Sequence, residues 1–270
     1  MAAVGGFKQI TIWKAEEKRI MASQPIYQFY AELCDYKPKI WRRFQVVNNI
    51  TMARLGYVIM TMFEMQASHL FSFDVPVAEN FRKCAGGNIG NDTNRKATDL
   101  FAEKPELARL RIELTSEDDF SEFEGHTLDA AETKVKNVLA EESETMTFSY
   151  DFGDGWEIRL VLEKIFWDKE LPGKELPRVL DGTGYGIIED CGGPGGLEDI
   201  AKAFKNKKDS QYLRYCEWLG VQEIDLSAFD LSDMNFRLKK VPRIYADIYE
   251  YDLEPTKQSI ALLMRKYKKD

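Results

Sequence analysis

Histidine is nearly missing from this chain: His69 and His126 are the only two among 270 residues. A centre built on several imidazoles is therefore excluded, and so is a nucleophile triad unless one of these two serves it. Cysteine is scarce and scattered. Cys34, Cys84, Cys191 and Cys216 stand far apart with no CxxC pair, so thiolate zinc spacing is absent and reduced thiols are the reading. Positive charge is in deficit, with 37 Lys and Arg against 45 Asp and Glu, a net charge of −8. A field of that sign repels phosphate backbones and disfavours nucleic-acid binding through net charge. Long apolar runs are also lacking. The longest, around residues 55–65, is interrupted by Glu64 and is too short to span a bilayer. Residues 1–22 lack the apolar core and cleavage site of a signal peptide. The expectation is a cytoplasmic protein with no membrane partner, in which the sequons at Asn49 and Asn91 carry no glycan. No GxGxxG, P-loop or Gly-x-Ser-x-Gly pattern occurs, and no internal repeat.

What is present is material for a core. Apolar residues make up 44% and aromatics 12%, enough for one large domain. Tyr27, Phe29, Ala31 and Leu33 alternate with polar neighbours, which predicts a half-buried strand. Turn residues 35–38 and a second strand over 40–47 complete an antiparallel hairpin. Thr51 can cap a helix in which Met52, Leu55, Ile59, Met62 and Phe63 recur at helical spacing, predicting an amphipathic helix on that hairpin. Residues 69–73 read as a third strand, and 81–101 as mostly loop. Between residues 113 and 132 there are eight acidic side chains and no basic one, which reads as a solvated face or mobile loop.

The clearest local pattern spans residues 146–163. Met146, Phe148, Tyr150 and Phe152 alternate on one arm and Trp156, Ile158, Leu160 and Leu162 on the other, around Gly153-Asp154-Gly155. That is a hairpin with a turn where glycine tolerates positive φ. Residues 171–196 are rich in Gly and Pro. Helices are expected near 197–205, 211–219 and 259–267. The resulting class is α+β: a largely antiparallel sheet of hairpins packed against helices, with a C-terminal helical extension. The expected division is an N-terminal extension (1–23), the α+β domain (24–236) and a partly helical C-terminal extension (237–270).

Few residues suggest chemistry. Asp151-Phe152-Gly153 matches the magnesium triplet of protein kinases by accident, since the other kinase motifs are absent. Turn chemistry predicts that Asp154 serves the turn and Asp151 meets a backbone or arginine partner. The glycine loop at 192–196 reads as structural, because Pro194 removes a donor from any anion cradle. Arg42 and Arg43 follow Trp41 on a strand and face opposite sides. The reading is one arginine solvated and the other paired with a carboxylate.

Several segments together resemble the plasmid pRiA4b ORF-3-like family. They are Ile40-Trp41-Arg42-Arg43, the helix after Thr51, His69-Leu70-Phe71-Ser72-Phe73, the stretch from Tyr150 to Trp156, the stretch from Leu176 to Gly182, and Glu189-Asp190-Cys191-Gly192-Gly193. They occur in the family's order and cover roughly residues 27–235. The resemblance implies an α+β domain associated with plasmids, phages or transposable elements. Some relatives carry an insertion-element passenger label of TnpR type, but no recombinase constellation is present here. This chain departs from the family where it has Phe71 for a histidine, Ile158 for a histidine and Val179 for a cysteine, and where Ile187-Ile188 replaces a pair of prolines.

With those groups replaced, the leading expectation is a non-catalytic binding or regulatory protein acting through protein–protein contacts, with no cofactor and no metal. Its binding residues would be drawn from Trp41, Arg42, Arg43, His69, Asp151, Asp154, Trp156, Arg178, Glu189 and Asp190. The alternative is a metal-assisted hydrolase or nuclease using Asp151, Asp154, His69 and Glu189, which requires their convergence. A third reading is nucleic-acid binding through Arg42, Arg43 and the basic C-terminal segment.

Overall fold

The structure is a computed structural model, and it describes residues 24–84, 99–114 and 126–264. One mixed sheet organises the chain: β1 (Ile26–Leu33), β2 (Trp41–Val47), β3 (Phe71–Val75), β4 (Leu110–Glu113), β5 (His126–Asp129), β6 (Thr145–Tyr150), β7 (Trp156–Phe166) and β8 (Arg178–Thr183). Their spatial order is β5-β4-β3-β6-β7-β1-β2-β8, antiparallel throughout except for the β4–β5 pair. The alternation legible in the sequence is what the sheet uses. Phe29 faces Phe44 across β1–β2, and Phe148 faces Ile158 across β6–β7, all fully buried. Burying each of these large side chains contributes about 1.5–3 kcal/mol relative to exposure.

Helix α1 (Met52–Met62) begins where Thr51 accepts a hydrogen bond from the Arg54 N–H. Its start is as predicted, but its surroundings differ. Ten of its eleven residues are buried, so it is a central helix with no solvent stripe. One side meets the sheet so closely that a Cβ at Gly56 would lie 2.8 Å from the Phe71 ring. The other side is covered by α5 (Leu231–Leu238) and α6 (Val241–Tyr249), where Leu238, Val241 and Tyr245 enter the same core.

The remaining helices are α2 (Val77–Cys84), α3 (Gly193–Lys205), α4 (Tyr212–Leu219) and α7 (Lys257–Leu263). Several sequence boundaries shift. Strand β3 starts at Phe71, leaving His69 in the preceding loop. The segment predicted as loop from residue 81 is entered by α2, has a helical turn at 99–103, and otherwise lies outside the described residues. The acidic run contributes β4 and β5 at its ends, and its middle, 115–125, lies outside the described residues. The Gly- and Pro-rich stretch contains β8, and α3 starts at Gly193 rather than after the glycines. Among the described residues no helix is long and apolar enough to cross a membrane.

Candidate functional site

Three chain segments meet beyond the C-terminus of α1. The first is the loop carrying residues 63–70. It reverses through Glu64 (φ 63°) and Ala67 (φ 62°), conformations that ordinary residues hold only when neighbours enforce them. Those neighbours are visible. Glu64 pairs with Arg237 at 2.5 Å, both side chains buried, and the Tyr245 hydroxyl donates to the Met65 carbonyl. The Tyr249 hydroxyl donates to the His69 carbonyl. Helices α5 and α6 thereby fix the loop that presents His69.

The second segment is the β6–β7 connection, residues 151–155. Asp151 (φ 51°) leaves the sheet, its Oδ1 accepting from the N–H groups of Gly153 and Asp154 at 3.1 and 3.3 Å. The third is the loop before α3, where the buried Glu189 carboxylate lies. Its Oε1 accepts from the Gln66 N–H at 2.7 Å and from the Tyr150 hydroxyl at 2.8 Å.

At their meeting point the His69 Nε2 lies 3.3 Å from Asp151 Oδ2, 3.5 Å from Glu189 Oε2 and 3.3 Å from Asp190 Oδ1. These are ion-pair distances, yet among the described residues neither the imidazole Nε2 nor Glu189 Oε2 has a hydrogen-bond partner, although both atoms are buried. An unpaired buried polar atom costs about 1–3 kcal/mol, so two in contact mark an unfinished site. The donor atoms of His69, Asp151 and Glu189 lie within 4.8 Å of one another. Four ligands about 2.0–2.1 Å from a tetrahedral zinc ion stand about 3.3–3.4 Å apart, close to the 3.3 and 3.5 Å that separate His69 Nε2 from Asp151 Oδ2 and Glu189 Oε2. One imidazole and two carboxylates suit a first-row transition ion better than calcium or magnesium, which prefer oxygen alone.

Burial pushes the Glu189 carboxyl above its usual range, while the Gln66 N–H and Tyr150 hydroxyl pull the other way. Burial, reinforced by the Glu189 charge, pushes the Tyr150 phenol up as well, so it remains the donor. Cys191, next along the loop, has its thiol pushed up to about 12 by burial and then by Asp154. At neutral pH it is an inert thiol, not a thiolate ligand.

Of the residues expected to form a site, the fold gathers His69, Asp151, Glu189 and the exposed Asp190. Asp154 does not join them. Its Oδ2 accepts from the Gly192 N–H at the start of α3, 3.1 Å away, so it occupies the helix N-terminus that could have held an anion. Asp151 meets a backbone partner as predicted, holding the turn, whereas Asp154, expected to serve the turn, bridges to the next loop. Gly193 (φ 70°) is needed there, since its Cβ would sit 2.2 Å from the Asp154 carbonyl oxygen.

The other residues fall elsewhere. Trp156 is buried in the core. Arg42 is not solvated: it is fully buried and donates to the carbonyls of Trp41, Met62, Thr183, Gly184 and Tyr185. Arg43, on the opposite face of β2, makes the expected carboxylate pair, binding Glu163 through two nitrogens at 2.7 and 2.9 Å. Trp41 stacks on Tyr30, and Arg178 donates to Gln45. Sequence reasoning missed Tyr150, Gln66, Tyr245 and Tyr249 as supports. Only Tyr150, adjacent to Asp151, carried any signal.

An eight-stranded α+β sheet protein with a buried imidazole–carboxylate centre is the class these features define. The chain belongs to the plasmid pRiA4b ORF-3-like protein family, whose model matches residues 25–235. It is 32% identical over 93 residues to the uncharacterized protein y4hQ of Sinorhizobium fredii (strain NBRC 101917 / NGR234), covering 34% of this chain and 46% of that one. The alignment therefore spans less than half the length of that relative. The crystal structure of a protein of unknown function, MM3350 from Methanosarcina mazei Go1, shares the fold. Its TM-score is 0.58 at 23% identity, over 78% of this chain and 97% of that one.

Proposed function

We propose that this protein binds a divalent transition-metal ion of the zinc class through His69 Nε2, Asp151 Oδ2 and Glu189 Oε2, and that metal-assisted hydrolysis is its chemistry. The observation that carries this is the buried, unpartnered Glu189 Oε2 lying opposite the equally unpartnered His69 Nε2. Three ligands leave a coordination position for water, as catalytic zinc sites do, and the ion would supply Lewis acidity and a water ionised near neutral pH. Asp190, on the exposed edge of the cluster, is placed to accept a proton or act as a fourth, displaceable ligand. This departs from the expectation that no metal is involved.

Metal-free protein titrated with Zn(II), Mn(II) and Mg(II) in a calorimeter tests the reading. The expected result is one Zn(II) per chain, Mn(II) weaker and Mg(II) weakest, with the Zn(II) site lost in Glu189→Gln. Millimolar Zn(II) affinity, or identical binding by the variant, would falsify the assignment.

A second reading, a binding or regulatory protein acting through protein contacts, is favoured by apolar side chains left in water. Leu213 is 75% exposed and Trp218 48% exposed on α4, and Leu231 and Phe236 are exposed on α5. Exposed aromatic and aliphatic groups are the usual anchors of protein interfaces. A pull-down from the native host should recover a partner that Leu213→Asp loses. Equal recovery with both forms removes this surface from consideration.

A further inference from the structure

The opposite face of the sheet carries a second feature. Side chains of β3, β6 and β7 alternate, so while Phe71, Phe73, Phe148 and Ile158 enter the core, Ser72, Asp74, Thr147, Ser149, Glu157 and Arg159 lie on the other side. Two clefts run along that face and share Asp74. One, of about 330 Å³, reaches Asp151 and the exposed ring of Phe152. The other, of about 370 Å³, holds Arg109, Arg159, Thr147 and Glu79.

The charges in the second cleft do not cancel as its composition suggests. Asp74 is bound by Arg111 through two nitrogens at 3.3 Å, and Glu79 by Lys83 at 2.7 Å. Arg109 and Arg159 have no ion pair or hydrogen bond through their guanidinium groups among the described residues, and both are exposed in the same cleft. Two guanidinium groups without a direct ion pair share one concavity, Arg159 near enough to Glu79 to help Lys83 hold that carboxyl down, and such a pair favours an anion with several oxygens, which a guanidinium meets in a planar, two-pronged way. The first cleft supplies an aromatic ring, 58% exposed, and the buried hydroxyl of Ser72, which has no hydrogen-bond partner among the described residues. Arg159 pairs with Thr147, four residues from Asp151 on the chain of β6, so the arginine end lies about 13 Å along the sheet from the Phe152 end.

We infer that this face binds a nucleoside-phosphate ligand, its phosphate groups on Arg109 and Arg159 and a nucleobase on Phe152. A cationic track with an aromatic platform is the pairing by which single-stranded nucleic acid is held, without base-edge recognition. The net charge of −8 opposes this as a far field, and Asp151 and Glu157 line the first cleft, so the phosphates are placed at the arginine end of the second. The ligand is either a free nucleotide or a nucleotide unit within a single strand, and the two sources share the same contacts. The site needs no metal ion, although its first cleft is also lined by Asp151 of the His69 centre.

The test uses the full chain in EDTA, so that occupancy of the His69 centre plays no part. Inorganic phosphate, ADP and a five-residue oligodeoxythymidylate are each titrated at 50 and 200 mM salt. ADP or the oligonucleotide should bind more tightly than phosphate, and whichever is tighter identifies the source. Engaging two phosphates predicts about a sevenfold weaker oligonucleotide affinity at the higher salt. Arg109→Gln and Arg159→Gln, both surface changes, should each weaken binding about tenfold or more with unchanged melting curves. Phe152→Ala should weaken ADP and leave phosphate unaffected. The inference is overturned if neither nucleotide ligand binds at millimolar concentration, if neither exceeds phosphate, or if the arginine variants bind like the parent.

Discussion

Two polar centres lie past the C-terminal end of α1, and they are built on opposite terms. At Arg42 the buried guanidinium is surrounded by carbonyl oxygens, including that of Met62 at the negative end of α1, and by the rings of Phe63 and Phe229. At His69 a ring nitrogen faces three carboxylates and makes no hydrogen bond with any of them. A buried charge whose donors are answered is a structural staple. A buried cluster with orphaned atoms is destabilising in isolation, and persists where something else completes it. The comparison separates what holds the fold from what the fold holds.

It can be broken most directly at Arg42. Arg42→Met keeps the apolar stem but removes the donors to the carbonyls of Met62, Thr183, Gly184 and Tyr185. The expected loss is about 3 kcal/mol or more of unfolding free energy, read from urea denaturation. A cost under about 1 kcal/mol would mean that this centre is no staple and that the contrast fails.

At the His69 centre the expected effect falls on binding instead. In Asp151→Asn the side-chain oxygen can still accept from the Gly153 and Asp154 N–H groups, so the turn survives while the anionic ligand is lost. Zn(II) affinity should fall about 100-fold, with the urea midpoint nearly unchanged. A variant that unfolds without losing relative metal affinity would make Asp151 structural. Tyr150→Phe sharpens the point one step further out. Its hydroxyl links the Ser68 N–H to Glu189, so removing it loosens the carboxylate without touching a ligand. About a tenfold loss of Zn(II) affinity is expected, together with about 1 kcal/mol of stability. An unaltered affinity would show that Glu189 needs no such support.

How much of this was legible in the sequence follows the range of each interaction. The hairpins β1–β2 and β6–β7 were readable, because alternation and turn residues act over a few positions. The Thr51 cap was readable for the same reason. Strand β8 was not, since its six residues carry Arg178, Asp181 and Gly182 and show no clean alternation at the sheet edge. Helix α1 was legible as a helix but not as a central one, because α5 and α6, which cover it, lie about 180 residues away in the chain. The candidate site was half legible. His69, Asp151 and Glu189 were named together, as the requirement of a hydrolase, but nothing in their spacing showed that they meet. Asp154 failed because a backbone N–H, at Gly192, claims it, and sequence does not display such partners.

The smallest effect concerns the satisfied outer face, where Arg43 grips Glu163. The Arg43 guanidinium beside Glu163 holds that carboxyl below its usual range, burial opposing it. A depressed carboxylate binds protons less readily folded than unfolded, so its contribution is present above the ordinary glutamate range and is lost as pH falls through the lowered value. Arg43→Ala should therefore cost stability at neutral pH and converge with the parent in acid. Because both side chains are partly exposed, solvent screening limits the cost to about 0.5–1 kcal/mol, and added salt should shrink it. Urea titrations at pH 7 and pH 3 measure the difference. A deficit that persists unchanged at pH 3 would assign the role of Arg43 to its packing over Tyr30 and Trp41 rather than to its charge.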